Sequence, residues 1–366
     1  MSRVLPEQHI MDHDLNYIVS CLTDREVEKF NGATVVVTGC AGFIGYYVLH
    51  FFDRYAHQLG INKVVGLDNF TLGQQAWVRE LGESSKVVEI HDFDVIRGSL
   101  DDVIPNASPY FVVHMASIAS PPFYRRYPLE TVDANVWGLR RLLEHSIGRD
   151  LRGFLFFSSS EIYGEPDPLF IPTAESYWGN VSSLGPRACY DESKRFGETL
   201  CEIFAHQYGL PITIVRPFNN FGPGTNLDDQ RVTADFTKAI VLGKNVIIHS
   251  DGTPTRTFCY VADAVAGYLK ALLYGTFDCF NIGTENPEIS MKGLAELYVQ
   301  AGKDMFKYEG QIEFIPSSDP HYLTHNPSRR CPDISKAKNL LSFRPKISLT
   351  EGIYRELQFF KERGSD

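Results

Sequence analysis

The sequence predicts an α/β protein built on a doubly wound parallel sheet, with a smaller mixed α/β region that binds substrate. Three observations predict it. Short apolar runs rich in valine, isoleucine and phenylalanine recur along the first 216 residues with helix-length segments between them, the alternation of βαβ units. The first run opens directly into a glycine-rich turn, and the fifth ends in a row of serines. Open parallel sheets bind ligands at the carboxyl ends of their strands, where both features fall.

Taken in order, residues 1–30 read as a polar, helical extension with Glu7, Asp12, Asp14, Asp24 and Glu26, and without the basic start and apolar run of a signal peptide. The first strand is expected at Ala33-Thr-Val-Val-Val-Thr38, an apolar β-branched run suited to burial on both faces. The second, Lys63–Leu67, ends in Asp68; the third, Lys86–Ile90, leads to Asp92 and Asp94; the fourth, Tyr110–His114, ends at Met115-Ala116-Ser117. Runs at Phe154–Phe157 and Ile212–Val215 complete six predicted strands. The expected division is a dinucleotide-binding domain over 31–216 with a returning segment near 232–275. A smaller second part is expected over 217–231, 245–258 and 276–366.

Bulk composition narrows the function classes. A chain of 366 residues, 43% hydrophobic, can bury a core without staples. Its formal charge is −10 and it has no Lys/Arg-rich run, which argues against nucleic acid as a partner. The seven cysteines stand singly, without the paired spacings of zinc or redox motifs, so a reduced, cytoplasmic protein is expected, with no metal and no membrane insertion.

The glycine turn is Gly39-Cys-Ala-Gly42-Phe43-Ile44-Gly45, between strand and helix. Bare glycines there let the backbone turn tightly and approach a pyrophosphate aimed at the helix N-terminus. Asp68, followed by Asn69, closes the second strand 23 residues beyond Gly45. A carboxylate there accepts hydrogen bonds from the adenosine ribose hydroxyls and repels a 2′-phosphate, so NAD is expected rather than NADP. Asp94 or Asp92 is expected at the adenine. Val95, Met115, Ala116 and Ser117, at the ends of the third and fourth strands, complete the expected cofactor contacts.

Tyr190-Asp-Glu-Ser-Lys194 places a phenol and an ammonium on one helix face. The nearby cation is expected to favour the phenolate and make the tyrosine a usable base. Phe157-Ser-Ser-Ser160-Glu161 closes the fifth strand, where Ser159 can share a hydrogen bond to a sugar hydroxyl undergoing oxidation.

With these residues in view, the chain resembles the extended short-chain dehydrogenase/reductases, and among them the UDP-glucuronate decarboxylases. The most specific stretch is Tyr177-Trp-Gly-Asn180 with Leu184-Gly-Pro-Arg-Ala-Cys-Tyr-Asp-Glu-Ser-Lys-Arg195. Ala119-Ser-Pro-Pro122, Ser160–Gly164, Phe218–Pro223, Thr255–Phe258 and Arg330–Ile334 support it. The resemblance implies Ser159, Tyr190 and Lys194 as the oxidation centre, and Ser160, Glu161 and Arg330 at the carboxylate-bearing end of the sugar. It implies Asn219 and Arg256 at the diphosphate, with Ser120, Tyr124, Arg231, Val232 and His249 as further substrate contacts. Departures from the pattern are Ser159 for threonine, His249 for a tyrosine near the base and Asp133 for a lysine; Cys331, His325 and Asn326 replace more typical neighbours of the arginine. The activity implied is NAD-dependent decarboxylation of a UDP-hexuronate through a 4-ketone, with 4-epimerisation, 4,6-dehydration or a non-catalytic NAD-binding scaffold as rivals. A homodimer is implied too, pairing helices that carry Asn135 to His145 and Tyr190 to Tyr208. Leu139, Leu142, Leu143, Phe196, Leu200 and Phe204 are the candidate interface residues, and they fit packing within one subunit equally well.

Overall fold

The computed structural model describes residues 10–104, 109–319 and 321–363; the first nine residues of the leader, Glu7 among them, lie outside that range. The six expected strands form at β1 (Thr34–Thr38), β2 (Lys63–Asp68), β3 (Val88–Asp92), β4 (Tyr110–His114), β5 (Leu151–Phe157) and β6 (Ile212–Pro217). Every residue of β1 and β4 is buried, which is why these runs show no polar alternation. A seventh strand, Asp278–Ile282, extends the sheet beyond β6. The sequence reading had placed this stretch with the substrate-binding segments. As an edge strand it keeps Asp278 and Cys279 partly exposed, and Asp-Cys-Phe-Asn-Ile lacks the β-branched run that marks the central strands.

Across the sheet the order is Asp278–Ile282, β6, β5, β4, β1, β2, β3, all parallel. Chain direction through the sheet reverses between β1 and β4, the crevice where doubly wound folds bind ligands. The two strands run in register, Thr34 beside Tyr110 and Thr38 beside His114. That register brings Gly39 and Met115 level at the carboxyl edge. Behind the sheet, the helix Val261–Leu272 has all twelve residues buried, including Asp263, which accepts from the Lys346 and Ile347 amides, and Lys270, which pairs with Glu26.

The leader is not a polar appendage. Helix α1 (Ile10–Ser20) packs against the helices Phe43–Leu59, Val261–Leu272 and Leu349–Arg363, burying Ile10, Leu15 and Ile18. Asp14, one of the acids that made the segment look solvated, is fully buried. It accepts hydrogen bonds from the Tyr47 hydroxyl (2.7 Å), the Tyr260 hydroxyl (2.6 Å) and Arg355 Nη1 (2.6 Å). A buried carboxylate needs such partners, and they come from residues distant in sequence, which periodicity alone does not show.

Candidate active site

One cavity of about 1460 Å³ runs along the carboxyl edge of the sheet. At one end the glycine turn forms its floor. Gly39 has φ +70°, and a Cβ on it would come within 2.6 Å of Ala116 N; a Cβ on Gly45 would stand 2.1 Å from Cys40 O. The protein's own packing therefore requires both glycines. Gly42 differs: a Cβ there would meet only Gly39 O, at 3.5 Å, so the space above it is left open on the cavity side. Gly42 is also the N-cap of the 17-residue helix Phe43–Leu59, whose first-turn amides lack intrahelical acceptors. The open space and the free amides suit a pyrophosphate, and the residues present fit a dinucleotide.

Asp68 accepts from the Ala41 and Phe70 amides, both at 2.9 Å, so it braces the glycine turn as well as facing the cavity. Burial raises its pKa. A carboxylate has about four acceptor positions, which leaves room for ribose hydroxyls. Asn69, Phe43, Ile44, Asp94, Val95, Met115, Ala116 and Ser117 line the same end. Of the two acids considered for the adenine, Asp94 lines the cavity and Asp92 does not.

The residues expected to react lie in the middle. Tyr190 and Lys194 sit in the first two turns of the helix Ala188–Tyr208, and both are buried. The expectation that Lys194 lowers the pKa of the phenol is not met. Burial pushes Tyr190 up to about 12, offset in part by a hydrogen bond from Ser159. Burial also pushes Lys194 down to about 7. Its Nζ donates to Phe157 O at 2.6 Å and lies 5.8 Å from the Tyr190 ring centre. The cation is thus weakened by the same burial that raises the phenol. Ser159 caps the short turn Ser160–Tyr163, its Oγ accepting from Glu161 N at 3.2 Å, and Ser160 is buried beside it. The Tyr124 ring stacks on that of Tyr190, with centroids 5.2 Å apart and planes 12° apart.

Beside this centre stands an ion cluster. Glu161 Oε2 accepts from Arg330 Nη2 at 2.5 Å and from Arg187 Nη2. Burial would raise the Glu161 pKa, but Arg187, Arg330 and Arg256 overcome it and hold the group at about 2, fully ionised. Arg256 is pushed down to about 9 by burial and by Arg330. It has no carboxylate in contact: it donates to Thr255 O (2.8 Å), Ser328 O (3.1 Å), Pro327 O and Asn326 Oδ1 (3.2 Å).

At the far end, Arg231 pairs with Asp229 at 2.9 Å and precedes the helix Val232–Val241. Ser120 bonds Asp229, and Asn219, at φ +39°, donates to Thr257 O at 2.9 Å. His249 meets the edge of the Tyr322 ring at 5.4 Å. Asp235 nearby is pushed up to about 6 by burial. Apart from Asp92, every residue named in advance for cofactor, chemistry or substrate lines this one cavity. Arg187, Asp229, Asp235 and Tyr322 were assigned no role from the sequence. Arg187 alone had a signal, since it falls inside the stretch Leu184–Arg195.

A reversed parallel sheet with a dinucleotide cradle at its switch point, opening onto a Ser/Tyr/Lys centre, defines a nucleotide-dependent oxidoreductase-type enzyme. The NAD dependent epimerase/dehydratase family matches residues 35–283, and the chain belongs to that family. Among curated relatives, UDP-glucuronic acid decarboxylase 6 of Arabidopsis thaliana is 37% identical over 325 residues, 87% of this chain and 86% of the relative. UDP-glucuronic acid decarboxylase 1 of Xenopus tropicalis is 32% identical over 90% of this chain and 72% of its own length. Among solved structures, the UDP-glucose 4-epimerase of Thermotoga maritima has TM-score 0.75 at 27% identity, covering 90% of this chain and 99% of its own.

Proposed function

We propose that the protein removes carbon dioxide from a UDP-hexuronate, of the UDP-glucuronate to UDP-xylose type, through a 4-keto sugar. The observation that carries this reading is a buried arginine cluster built around Glu161, directly beside the Ser159–Tyr190 pair in one cavity. The decarboxylase names and the 31–37% identity of the most similar curated relatives support it.

NAD, which Gly42 and Asp68 would hold, would supply reversible oxidation at carbon 4 of the sugar. Tyr190 takes the proton of the 4-hydroxyl, with Ser159 donating to its oxygen as charge develops. Lys194 fixes the cofactor's ribose, and Arg231, Asn219 and Arg256 hold the diphosphate. A carboxylate on carbon 5 beside a 4-ketone is a β-keto acid. Breaking its C–C bond releases carbon dioxide and leaves the electron pair on the former ketone oxygen, where the protonated Tyr190 and Ser159 are placed to meet it. A proton taken up from solvent at carbon 5, and reduction at carbon 4 with Tyr190 returning its proton to the oxygen, would yield the pentose.

Arg330 receives the substrate carboxylate, since its planar fork suits two-point contact. Glu161, held at about 2, is a base or a counter-charge and not a proton donor at neutral pH. Dehydration needs an acid for the departing 6-hydroxyl, and Ser160 stands where dehydratases carry an aspartate. Incubation with UDP-glucuronate, followed by mass, tests the reading: release of carbon dioxide with a UDP-pentose supports it, whereas isomerisation or an unchanged substrate refutes it.

A homodimer belongs to the same proposal, with a revised face. Leu139, Leu142, Leu143, Leu200 and Phe204 are buried in the subunit's own core. Phe196 alone of the expected set is open, at 50%, and Trp137 (52%) and Ile203 (47%) are exposed with it. Phe196 and Ile203 share one face of their helix, against which the turn carrying Trp137 packs. Seven unpaired cysteines support a reduced, cytoplasmic setting; among the described residues no helix is long and apolar enough to cross a membrane.

A further inference from the structure

Arg330 sits on the two-residue strand Arg329–Arg330 and reaches Glu161 Oε2 at 2.5 Å. That contact does not fix the guanidinium during a reaction, because a substrate carboxylate arriving at Arg330 competes with Glu161 for the same fork. The strand has to be held by contacts that binding leaves alone. On one side it runs beside Thr255 and Arg256. On the other, the main chain just beyond Arg330 is gripped by a side chain of the edge strand Asp278–Ile282, Asn281.

Asn281 is fully buried and does not line the cavity. Its Nδ2 donates to Asp333 O at 3.0 Å and to Thr173 O at 2.9 Å. Thr173 is laced to the same segment: its amide donates to Cys331 O at 2.8 Å, and its carbonyl accepts from Asp333 N at 2.9 Å. Asn281 Oδ1 accepts from the Tyr163 hydroxyl at 2.7 Å, and Tyr163 closes the short turn that carries Ser160 and Glu161. That hydroxyl in turn accepts from Arg216 Nη1 at 2.8 Å. Arg216 forks onto Glu198, at 2.9 and 2.6 Å, on the helix of Tyr190 and Lys194. Both N–H groups of the Asn281 amide and its oxygen are thus in use, which leaves the group one orientation. The amide joins the segment of Arg330 to the turn of Glu161 and, through Tyr163 and Arg216, to the helix of the phenol.

We propose that Asn281 is a positioning residue for Arg330: through main-chain hydrogen bonds outside the cavity, it sets where the guanidinium stands relative to Glu161 and Tyr190. The inference rests on the UDP-hexuronate reading above. Its further content is that the seat of the substrate carboxylate is placed from the edge strand of the sheet, by a residue that touches no ligand.

The test uses the full chain with NAD present and with Tyr190→Phe to silence turnover, titrated with UDP-glucuronate and with UDP, which carries no sugar. Asn281→Ala should weaken UDP-glucuronate about tenfold, the loss of one charge-assisted hydrogen bond to the carboxylate, and leave the dissociation constant for UDP at the parent value. Arg330→Ala and the double variant complete a cycle. A residue that acts through Arg330 has little left to lose once Arg330 is gone, so the double variant should bind UDP-glucuronate no more weakly than Arg330→Ala alone. Full multiplication of the two losses would overturn the proposal. So would equal weakening of UDP and UDP-glucuronate by Asn281→Ala, the signature of a merely structural role. Tyr163→Phe keeps the ring and removes the bond to Asn281; it should weaken UDP-glucuronate about threefold in the same non-multiplying pattern, and it decides the matter if Asn281→Ala does not fold. Carbon dioxide release by the protein with Tyr190 intact separates the two readings. Release together with independent effects at 281 and 330 removes this inference alone; no release removes both.

Discussion

Replacing Lys194 by methionine should make the ligand-free protein more stable near neutral pH while destroying its chemistry. Lys194 is 2% exposed, and burial takes its pKa from 10.5 to about 7. At about 1.36 kcal/mol for each tenfold change in proton affinity, that displacement corresponds to about 4–5 kcal/mol, and relaxation around the group brings the expected value to about 3–4 kcal/mol. The sign runs against the usual lysine case. Between pH 7 and 10.5 the unfolded chain binds the proton and the folded one does not, so stability rises with pH through that window. The cost of burying the group is full at pH 7 and gone by about pH 10.5. Methionine forfeits the hydrogen bond to Phe157 O, a loss of about 1–3 kcal/mol that does not depend on pH. The useful quantity is therefore the difference in unfolding free energy between variant and parent, measured by denaturant titration at pH 7 and pH 10 on protein stripped of nucleotide. It should favour the variant by about 3 kcal/mol more at pH 7 than at pH 10. A difference that stays flat, or grows with pH, would refute the assignment of Lys194 as a buried, strained cation.

The glycines of the turn should separate cofactor binding from folding. Gly42→Ala adds a Cβ in ordinary contact with the protein and should cost about 0.5–1 kcal/mol as a poorer N-cap, with NAD affinity falling about tenfold or more by calorimetry; undiminished affinity would show that the cradle is not used. Gly45→Ala, whose Cβ would overlap Cys40 O at 2.1 Å, should instead lower the melting temperature by several degrees. Tyr190→Phe should reduce turnover about 10²–10⁴-fold and leave NAD binding intact; near-normal turnover would remove the phenol from the mechanism. Phe196→Glu should convert a dimer into a monomer in sedimentation velocity, with the melting profile of the subunit little changed, because that ring is half exposed.

How far the sequence could be read depended on whether a feature is local. Strands β1, β2, β4, β5 and β6 were legible because two-sided burial writes itself as apolar runs; β3, at the opposite edge with Val88 alone fully buried, was read from the short run Lys86–Ile90. The strand Asp278–Ile282 was not, since an edge position relaxes that demand. The dinucleotide turn and the Tyr190–Lys194 pair were legible from spacing within one turn or one helix. Their electrostatics were not. Proximity suggested a cation stabilising a phenolate, but the depth of burial, a property of the whole fold, moved both groups toward neutrality. Arg187 escaped notice for a similar reason: its partners Glu161 and Arg330 lie 26 and 143 positions away, and only packing shows that they share an oxygen. The leader misled in the same way, because Asp14 counts as polar in composition and as core in the fold.

The shifted groups of the cavity fall into two kinds, and the division says what binding does. Glu161 is displaced downward because it is paired inside the protein, so it asks nothing of a ligand. Tyr190, Lys194 and Arg256 are displaced toward neutrality because they are buried with too little compensation. Leaving a cation without a carboxylate at Arg256, and a weakened one at Lys194, costs stability that a diphosphate and a cofactor ribose would return on binding. The unfavourable electrostatics of the cavity's own residues are thus complementary to an anionic nucleotide sugar, and they place the affinity for it in the charged groups and not in apolar contact.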